Sequence, residues 1–301
     1  MKKLNIVLAG NANVGKSVIF NHLTGLHQHI GNWSGKTIER AEGTLFYKGY
    51  TIDVLDLPGI YSLATYSIEE LVSREYIALQ KPDFVVNVVD ATVLERNLIF
   101  TLQLLELGRP MVLALNMINL LNKKRIEIDI KKLEKILQIP VVPTAAIYGK
   151  GIAEILDEGL KLIENGRSPG FLKYGQEVEN KIEILITELR EKEFSYPSRW
   201  LAIKLLEKDE EIKKIIKEKN PEILIISEKL CQELEKIHGH DSSIVIANER
   251  CYLVSQIIKE VVKIIKIKKI SLGEKLNNLT SNKVWGYPIM IGHEPQKWDQ
   301  E

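Results

Sequence analysis

The spacing of apolar positions changes character partway along this 301-residue chain. In the first half, short continuous apolar runs alternate with segments of helical period. Leu4-Asn5-Ile6-Val7-Leu8-Ala9, Phe84 to Asp90 and Met111 to Asn116 read as strands buried on both faces. Val18 to Leu23, Ser67 to Gln80, Leu94 to Leu107, Lys131 to Leu137 and Gly151 to Glu164 read as helices. Thr44 to Tyr47 and Thr51 to Leu55 flank Lys48-Gly49-Tyr50 as a hairpin, one strand of which is an antiparallel edge, and Val141-Val142-Pro143 is a short strand. Leu26 to Glu39 has no period and reads as a long exposed loop. Strands alternating with helices predict an α/β fold, a doubly wound and mostly parallel sheet with ligands at the strand C-termini. Beyond Gly166-Arg167-Ser168-Pro169-Gly170 the strands disappear. Val178 to Lys192, Trp200 to Glu207, Glu210 to Lys217, Pro221 to Lys236 and Ser242 to Ile265 then predict a small all-α bundle.

Composition narrows the function classes. Hydrophobic residues make up 45% of the chain, enough for a real core, and the formal charge of +1 gives no nucleic-acid footprint. Cys231 and Cys251 lie far apart without metal-ligand spacing, which predicts a reducing compartment and no disulfide framework. Met1-Lys2-Lys3-Leu4 runs into a core strand rather than a signal peptide, and no segment reaches the ~18 apolar residues of a membrane span. The expectation is a soluble, cytoplasmic chain.

Candidate chemistry starts at Gly10-Asn11-Ala12-Asn13-Val14-Gly15-Lys16-Ser17, which fits G-x-x-x-x-G-K-[ST] at every fixed position, between a strand and a helix. Glycines let the backbone curl so that its N–H groups and the helix N-terminus face phosphate oxygens. Lys16 neutralises charge and the Ser17 hydroxyl ligates magnesium. An ordinary strand-to-helix turn is the bland alternative. The downstream partners argue against it: Asp56-Leu57-Pro58-Gly59 ends a strand, where a carboxylate can hold the magnesium from its second shell and the Gly59 N–H can sense a terminal phosphate.

Together with Asn116-Met117-Ile118-Asn119 and the Thr144-Ala145-Ala146 loop, these segments resemble the GTPase superfamily. That resemblance implies phosphates on Gly10 to Ser17, magnesium held by Ser17 and Thr37 with Asp56 behind a water, and base reading by Asn116, Met117 and Asn119. It also implies guanine contacts from the backbone N–H groups of Ala145 and Ala146. Longer runs are more specific. Gly31 to Glu39, Asp56 to Leu63, Tyr66 to Glu70, Pro82 to Leu98 and Leu115-Asn116-Met117 resemble the cytosolic G domain of the ferrous-iron transport protein B family, a match spanning roughly Leu4 to Gly166. The family implies GTP hydrolysis, with GTP and GDP as ligands, regulating an iron-conducting membrane portion at the cytoplasmic side of the inner membrane.

Two positions depart from the wider superfamily. Ile60 follows Gly59 where many small GTPases carry a water-orienting glutamine, and an aliphatic side chain cannot align water, so hydrolysis should be slow. Asn13 matches an asparagine that holds potassium beside the β- and γ-phosphates in potassium-stimulated relatives, and Asn32 with the Trp33 loop would complete that site. The alternative for Asn13 is a loop residue that tolerates an unusual backbone angle. Asn119 stands where the superfamily has aspartate. Its NH₂ would face one guanine donor, a loss of roughly 2–4 kcal/mol, or ~30- to 1000-fold in guanine affinity, and would suit xanthine better.

In the helical part, Tyr196 to Glu207 and Asn248 to Tyr252 resemble the family's helical domain, which the resemblance implies favours the GDP-bound state. Trp200 reads as a core anchor. His238-Gly239-His240-Asp241 holds three potential ferrous ligands, although short His-x-His loops are usually solvated connections. Lys263 to Lys269 reads as the solvated side of the last helix, which the family resemblance would place near the inner membrane surface. Leu272 to Thr280 and Trp285 to Gly292 resemble the approach to a first membrane helix, while His293 to Glu301 is too polar to enter a bilayer, so a truncated portion and a stand-alone product both remain open. The predicted organisation is a G domain over 1–166, a helical domain over 167–270 and a C-terminal segment over 271–301. Three functions are in play: a regulatory nucleotide hydrolase of an iron transporter, a non-catalytic nucleotide switch, and a free RNA-associated GTPase. The transporter reading leaves room for a homo-oligomer, though no heptad seam indicates its order.

Overall fold

The computed structural model describes residues 2–25, 28–33, 37–64, 67–166, 169–190 and 193–265. The expectations for Ser34-Gly35-Lys36, Tyr66, Arg167-Ser168 and the segment from Lys266 to Glu301 lie outside the described residues. The chain forms two compact units, 1–263 and 264–301.

Within the first unit the elements follow as β1 (Lys2–Gly10), α1 (Lys16–Thr24), β2 (Gln28–Asn32), β3 (Glu39–Tyr47), β4 (Tyr50–Asp56), α2 (Ile68–Glu75), β5 (Phe84–Asp90), α3 (Leu94–Glu106), β6 (Met111–Asn116), α4 (Leu121–Lys124), β7 (Ile126–Ile128), α5 (Ile130–Leu137), β8 (Val141–Pro143) and α6 (Ile152–Glu164). Helices α7 (Gln176–Arg190), α8 (Ser198–Leu206), α9 (Glu210–Lys219), α10 (Glu222–His238) and α11 (Ser242–Val261) follow, then a short strand β9 (Val262–Ile264).

The main sheet has the order β2-β3-β4-β1-β5-β6-β8. Strands β4, β1, β5, β6 and β8 run parallel, and β2 and β3 antiparallel. The fold is thus the α/β, doubly wound, mostly parallel sheet of P-loop GTPases followed by an all-α region. The central strands β5 and β6 are buried along almost their whole length, which is why they read as continuous apolar runs. One apolar cluster covers the sheet face toward α1 and α6. A second is continuous from the other face, through α3 and α5, into the helical region, where Trp200 is fully buried.

Four local expectations are corrected. Part of the stretch assigned to a loop, Gln28–Asn32, is strand β2, held by antiparallel register with Glu39–Gly43. The edge strand is therefore β2 rather than a member of the β3–β4 hairpin. The helix from Ser67, which accepts from Glu70 N–H as its N-cap, ends as α-helix at Glu75, and Tyr76–Gln80 continue as a π-helical turn. The last helix stops at Val261, where Val262 turns extended and β9 begins, because three β-branched or bulky positions in four favour the pleated backbone there.

Candidate functional site

The site is built at the C-terminal ends of β1, β4 and β6. Strand β1 leaves the sheet at Gly10, where a side chain would lie 2.3 Å from the Val88 carbonyl oxygen, and the turn closes at Gly15 with φ of 92°. Asn13 adopts the left-handed conformation, φ 65°, so the unusual backbone angle foreseen for it is present. Helix α1 then starts with no side-chain cap and no acidic residue in its first turn. Its leading N–H groups and positive dipole end thus face the turn without an internal anion, the arrangement that receives phosphate.

Two side chains from this turn meet the end of β4. Ser17 Oγ donates to Asp56 Oδ2 at 3.3 Å, and Lys16 Nζ lies 3.6 Å from Asp56 Oδ1. Burial pushes the Asp56 carboxyl above the usual carboxylate range, against the pull of Lys16 and the Ser17 hydrogen bond. Asp56 Oδ1 is buried and has no hydrogen-bond partner. A carboxylate in this state, next to a hydroxyl, has the donor chemistry of a hard divalent cation site. The following turn lies on the phosphate loop itself. Leu57 N–H donates to Leu8 O, Ile60 N–H donates to Gly10 O, and a side chain on Gly59 would come within 3.0 Å of Ala12 Cα. The Ile60 side chain is buried in the core rather than directed at the loop.

Asn116 organises the other half. Nearly buried, it donates from Nδ2 to Val14 O at 2.9 Å, and its Oδ1 accepts from Thr144 Oγ1 and from Ala146 N–H at 3.0 Å. It therefore ties the phosphate loop to the loop after β8. Met117, with φ of 62°, turns the chain so that Asn119 and Leu120 form a wall. The result is one cleft of about 460 Å³, running from Asn11, Asn13, Lys16 and Ser17 to Met117, Asn119 and Ile147.

Not every predicted position joins it. Thr37 is exposed in a bend and does not line the cleft. The backbone N–H of Ala145 donates to Lys150 O and that of Ala146 to Asn116 Oδ1, so both amides expected to face a base are engaged within the protein. Only Ala146 lines the cleft. Val18, Leu120 and Ile147 line it without having been singled out, and Thr144 braces it; their one signal in the sequence is adjacency to motif residues. In the helical region, Asp241 caps α11 and pairs with Lys208, and His238 pairs with Glu177. Among the described residues no group of three or more His, Cys, Asp or Glu side chains converges as a metal site.

Comparison with known proteins agrees with this architecture. The family model described as Ferrous iron transport protein B matches residues 4–158, and that described as FeoB cytosolic helical domain matches residues 174–263. An Fe(2+) transporter FeoB of Methanocaldococcus jannaschii is 41% identical over 295 residues, covering 97% of this chain and 44% of that protein. A Porphyromonas gingivalis Fe(2+) transport protein A/Fe(2+) transporter FeoB fusion protein is 36% identical over 301 residues, 96% of this chain and 35% of that one. The chain thus spans less than half the length of these two relatives. The crystal structure of a GDP-bound point mutant of the S. thermophilus FeoB G-domain superposes with a TM-score of 0.82 at 34% identity, covering 87% of this chain and all of that one. The apo form of the cytosolic domain of the T. maritima FeoB iron transporter gives 0.75, also at 34% identity, with 87% of this chain and all of that one covered. No helix among the described residues is long and apolar enough to cross a membrane. With both family models aligned along the two halves of the first unit, the chain belongs to the ferrous iron transport protein B family.

Proposed function

We propose that this chain binds and slowly hydrolyses GTP as the regulatory portion of a ferrous-iron transporter, acting at the cytoplasmic side of the membrane on a membrane-spanning part. The observation that carries this reading is the single cleft joining an uncapped helix N-terminus with Lys16 to the Asn116-braced pocket, one half suited to polyphosphate and the other to a base. Residues 1–166 supply the nucleotide site and 167–270 the helical regulator, with 271–301 leading toward the membrane part; a homo-oligomer is compatible with this arrangement.

Gly10 to Ser17 wrap the phosphates through backbone N–H groups, and Lys16 offsets their charge. Magnesium fits the donor set of Ser17 and the Asp56 oxygen that faces Lys16 without a hydrogen bond, and when bound it would neutralise charge on the phosphates. Thr37 would join the magnesium site only once its segment moves in. Gly59, held against Ala12, presents its N–H to the terminal phosphate. Asn13 reaches the phosphate end of the cleft with an amide oxygen suited to potassium. With Ile60 turned into the core, water is oriented by backbone groups alone, consistent with slow turnover. Asn119 weakens guanine reading relative to aspartate.

Quantifying GDP released from GTP by the 301-residue chain, with magnesium and in potassium or sodium buffer, tests the proposal. Turnover that is faster in potassium supports it, while equal rates in the two buffers remove the Asn13 role. Binding without any single-turnover hydrolysis would favour the second reading, a non-catalytic switch, for which the buried Ile60 speaks.

A further inference from the structure

We propose that Gln103, on α3, is a positioning residue for nucleotide hydrolysis: its side-chain carbonyl holds the phosphate-sensing turn that follows Asp56. The inference rests on the hydrolase reading given above. Gln103 Oε1 accepts from the Leu63 backbone N–H at 2.7 Å, and both residues are buried. Between Asp56 and α2, the turn is fixed near its start by Leu57 N–H to Leu8 O and Ile60 N–H to Gly10 O, both donated to β1. Leu63 is its second fixed point, and there the acceptor comes from a different element.

Helix α3 grips the turn along one face. Arg96 and Gln103 are seven residues apart, two helical turns, and Arg96 stacks its guanidinium 4.6 Å from the centroid of the Tyr61 ring. Tyr61 itself is exposed, so this outer contact is weaker than the buried one at Leu63. Leu57, Ile60 and Leu63 pack into the apolar core, while Ser62 and Ala64 face open space. Ser62, Ala64 and Gln103 border an open cleft of about 600 Å³, whose opposite wall carries Lys204, Asp209 and Arg250. Leu63 is held by the apolar cluster around its side chain and by Gln103, and the second of these satisfies its backbone N–H. A buried N–H left without its acceptor would re-aim the segment toward the cleft to find water. That shift would pull on Ile60, whose N–H to Gly10 O is the nearest bond that sets Gly59 against Ala12.

The role is one of alignment, so it separates from binding. Gln103 lies outside the cleft formed by the phosphate loop and the Asn116 pocket, and nucleotide affinity should survive its loss. The test compares single-turnover GTP hydrolysis and GDP affinity of the full 301-residue chain with those of Gln103→Met, which keeps length and volume but has no carbonyl, and Gln103→Glu, which keeps the acceptor. The expected result is a rate constant for Gln103→Met lower by about 3- to 10-fold, the effect of one lost neutral hydrogen bond. GDP affinity should stay within about twofold, and Gln103→Glu should recover most of the rate. Melting curves for both variants check that the fold persists, and if Gln103→Met does not fold, a wild-type rate in Gln103→Glu together with a slowed Gln103→Ala carries the same conclusion. A wild-type rate in Gln103→Met, a parallel loss of rate and affinity, or no recovery in Gln103→Glu overturns the proposal. If the unmodified chain hydrolyses no GTP at all, the hydrolase reading fails first and takes this one with it.

Discussion

Arg74 and Asp209 form an almost wholly buried ion pair, Nη1 to Oδ2 at 2.7 Å, with side chains 1% and 5% exposed. It joins the end of α2, the helix after the Asp56 turn, to the residue that caps α9, since Asp209 Oδ1 also accepts from Ile212 N–H. Beneath the guanidinium lies the Trp200 ring, 5.5 Å away, with Tyr196 stacked on it. Removing one partner of such a pair leaves a buried charge unmatched, which is costlier than the pair itself is stabilising. Arg74→Met should therefore lower unfolding stability by roughly 3–5 kcal/mol. Asp209→Ala should lose about 1 kcal/mol more, because the cap goes as well. The double variant Arg74→Met with Asp209→Ala should lose less than the sum of the two single losses, and urea titrations of the set would show it. Additive losses in that cycle would mean that the two groups do not interact.

A partly buried carboxylate sets an acid limit. Burial alone would raise the Glu207 carboxyl, but Lys204 and Arg250 outweigh it and hold the group at about 2, against an ordinary 4.5. Glu207 sits between Lys204 Nζ, 2.7 Å away, and Arg250, which also makes a two-pronged contact with Glu106 on α3. Since the folded-state value lies below the unfolded one, the stabilisation is complete above about pH 4.5 and is lost as pH falls toward 2. Its size is on the order of 3 kcal/mol. Glu207→Gln should flatten the melting-temperature profile over that interval, and an unchanged acid slope would assign the loss to other carboxylates.

Much of this was legible in the sequence, and the exceptions share a cause. The phosphate loop, the Asp56 turn and the Asn116 segment are contiguous in sequence, so each could be read from local pattern, and the sheet that gathers them follows from the alternation of buried runs with helices. Gln28–Asn32 carries one β-branched residue, and it is a strand only because Glu39–Gly43 lie alongside. The amides of Ala145 and Ala146 are engaged by Lys150 and Asn116, which motif spacing does not show. Arg74 and Asp209 are 135 residues apart and carry no local signal. Long-range polar pairing, rather than periodicity, is what the chain keeps hidden until it is folded.

The Gly15 position tests the brace between the two halves of the cleft. Its backbone is left-handed, and a methyl group there would lie 2.5 Å from Asn116 Nδ2, the donor to Val14 O. Gly15→Ala is thus strained in two ways. Nucleotide affinity should drop by about 100-fold, equal to ~2.7 kcal/mol, as the brace hydrogen bond and the loop shape are lost together. Fluorescence titration with a labelled GDP analogue reads this directly, and an affinity within twofold of the unmodified chain would show that the Asn116 brace does not matter.

Asn119 stands in the cleft wall, and the proposed function makes it a reader of the base. Replacing it with aspartate restores two acceptors toward guanine, so Asn119→Asp should tighten GDP binding by roughly 30- to 1000-fold and weaken XDP binding. Competition between the two diphosphates on each chain measures the ratio. An unchanged GDP affinity would mean that the Asn119 side chain does not meet the base.

In the proposed function the turn between β1 and α1 wraps a nucleoside polyphosphate with Lys16 as its cation, and every other role assigned to the cleft depends on this. Calorimetric titration of GDP with magnesium into the 301-residue chain and into Lys16→Ala is the most direct measurement of that claim. A saturable one-site isotherm for the chain, lost or weakened by about 100-fold or more in Lys16→Ala, is the predicted result, the size expected for a charge-assisted contact to phosphate. Equal isotherms for the two chains would contradict it.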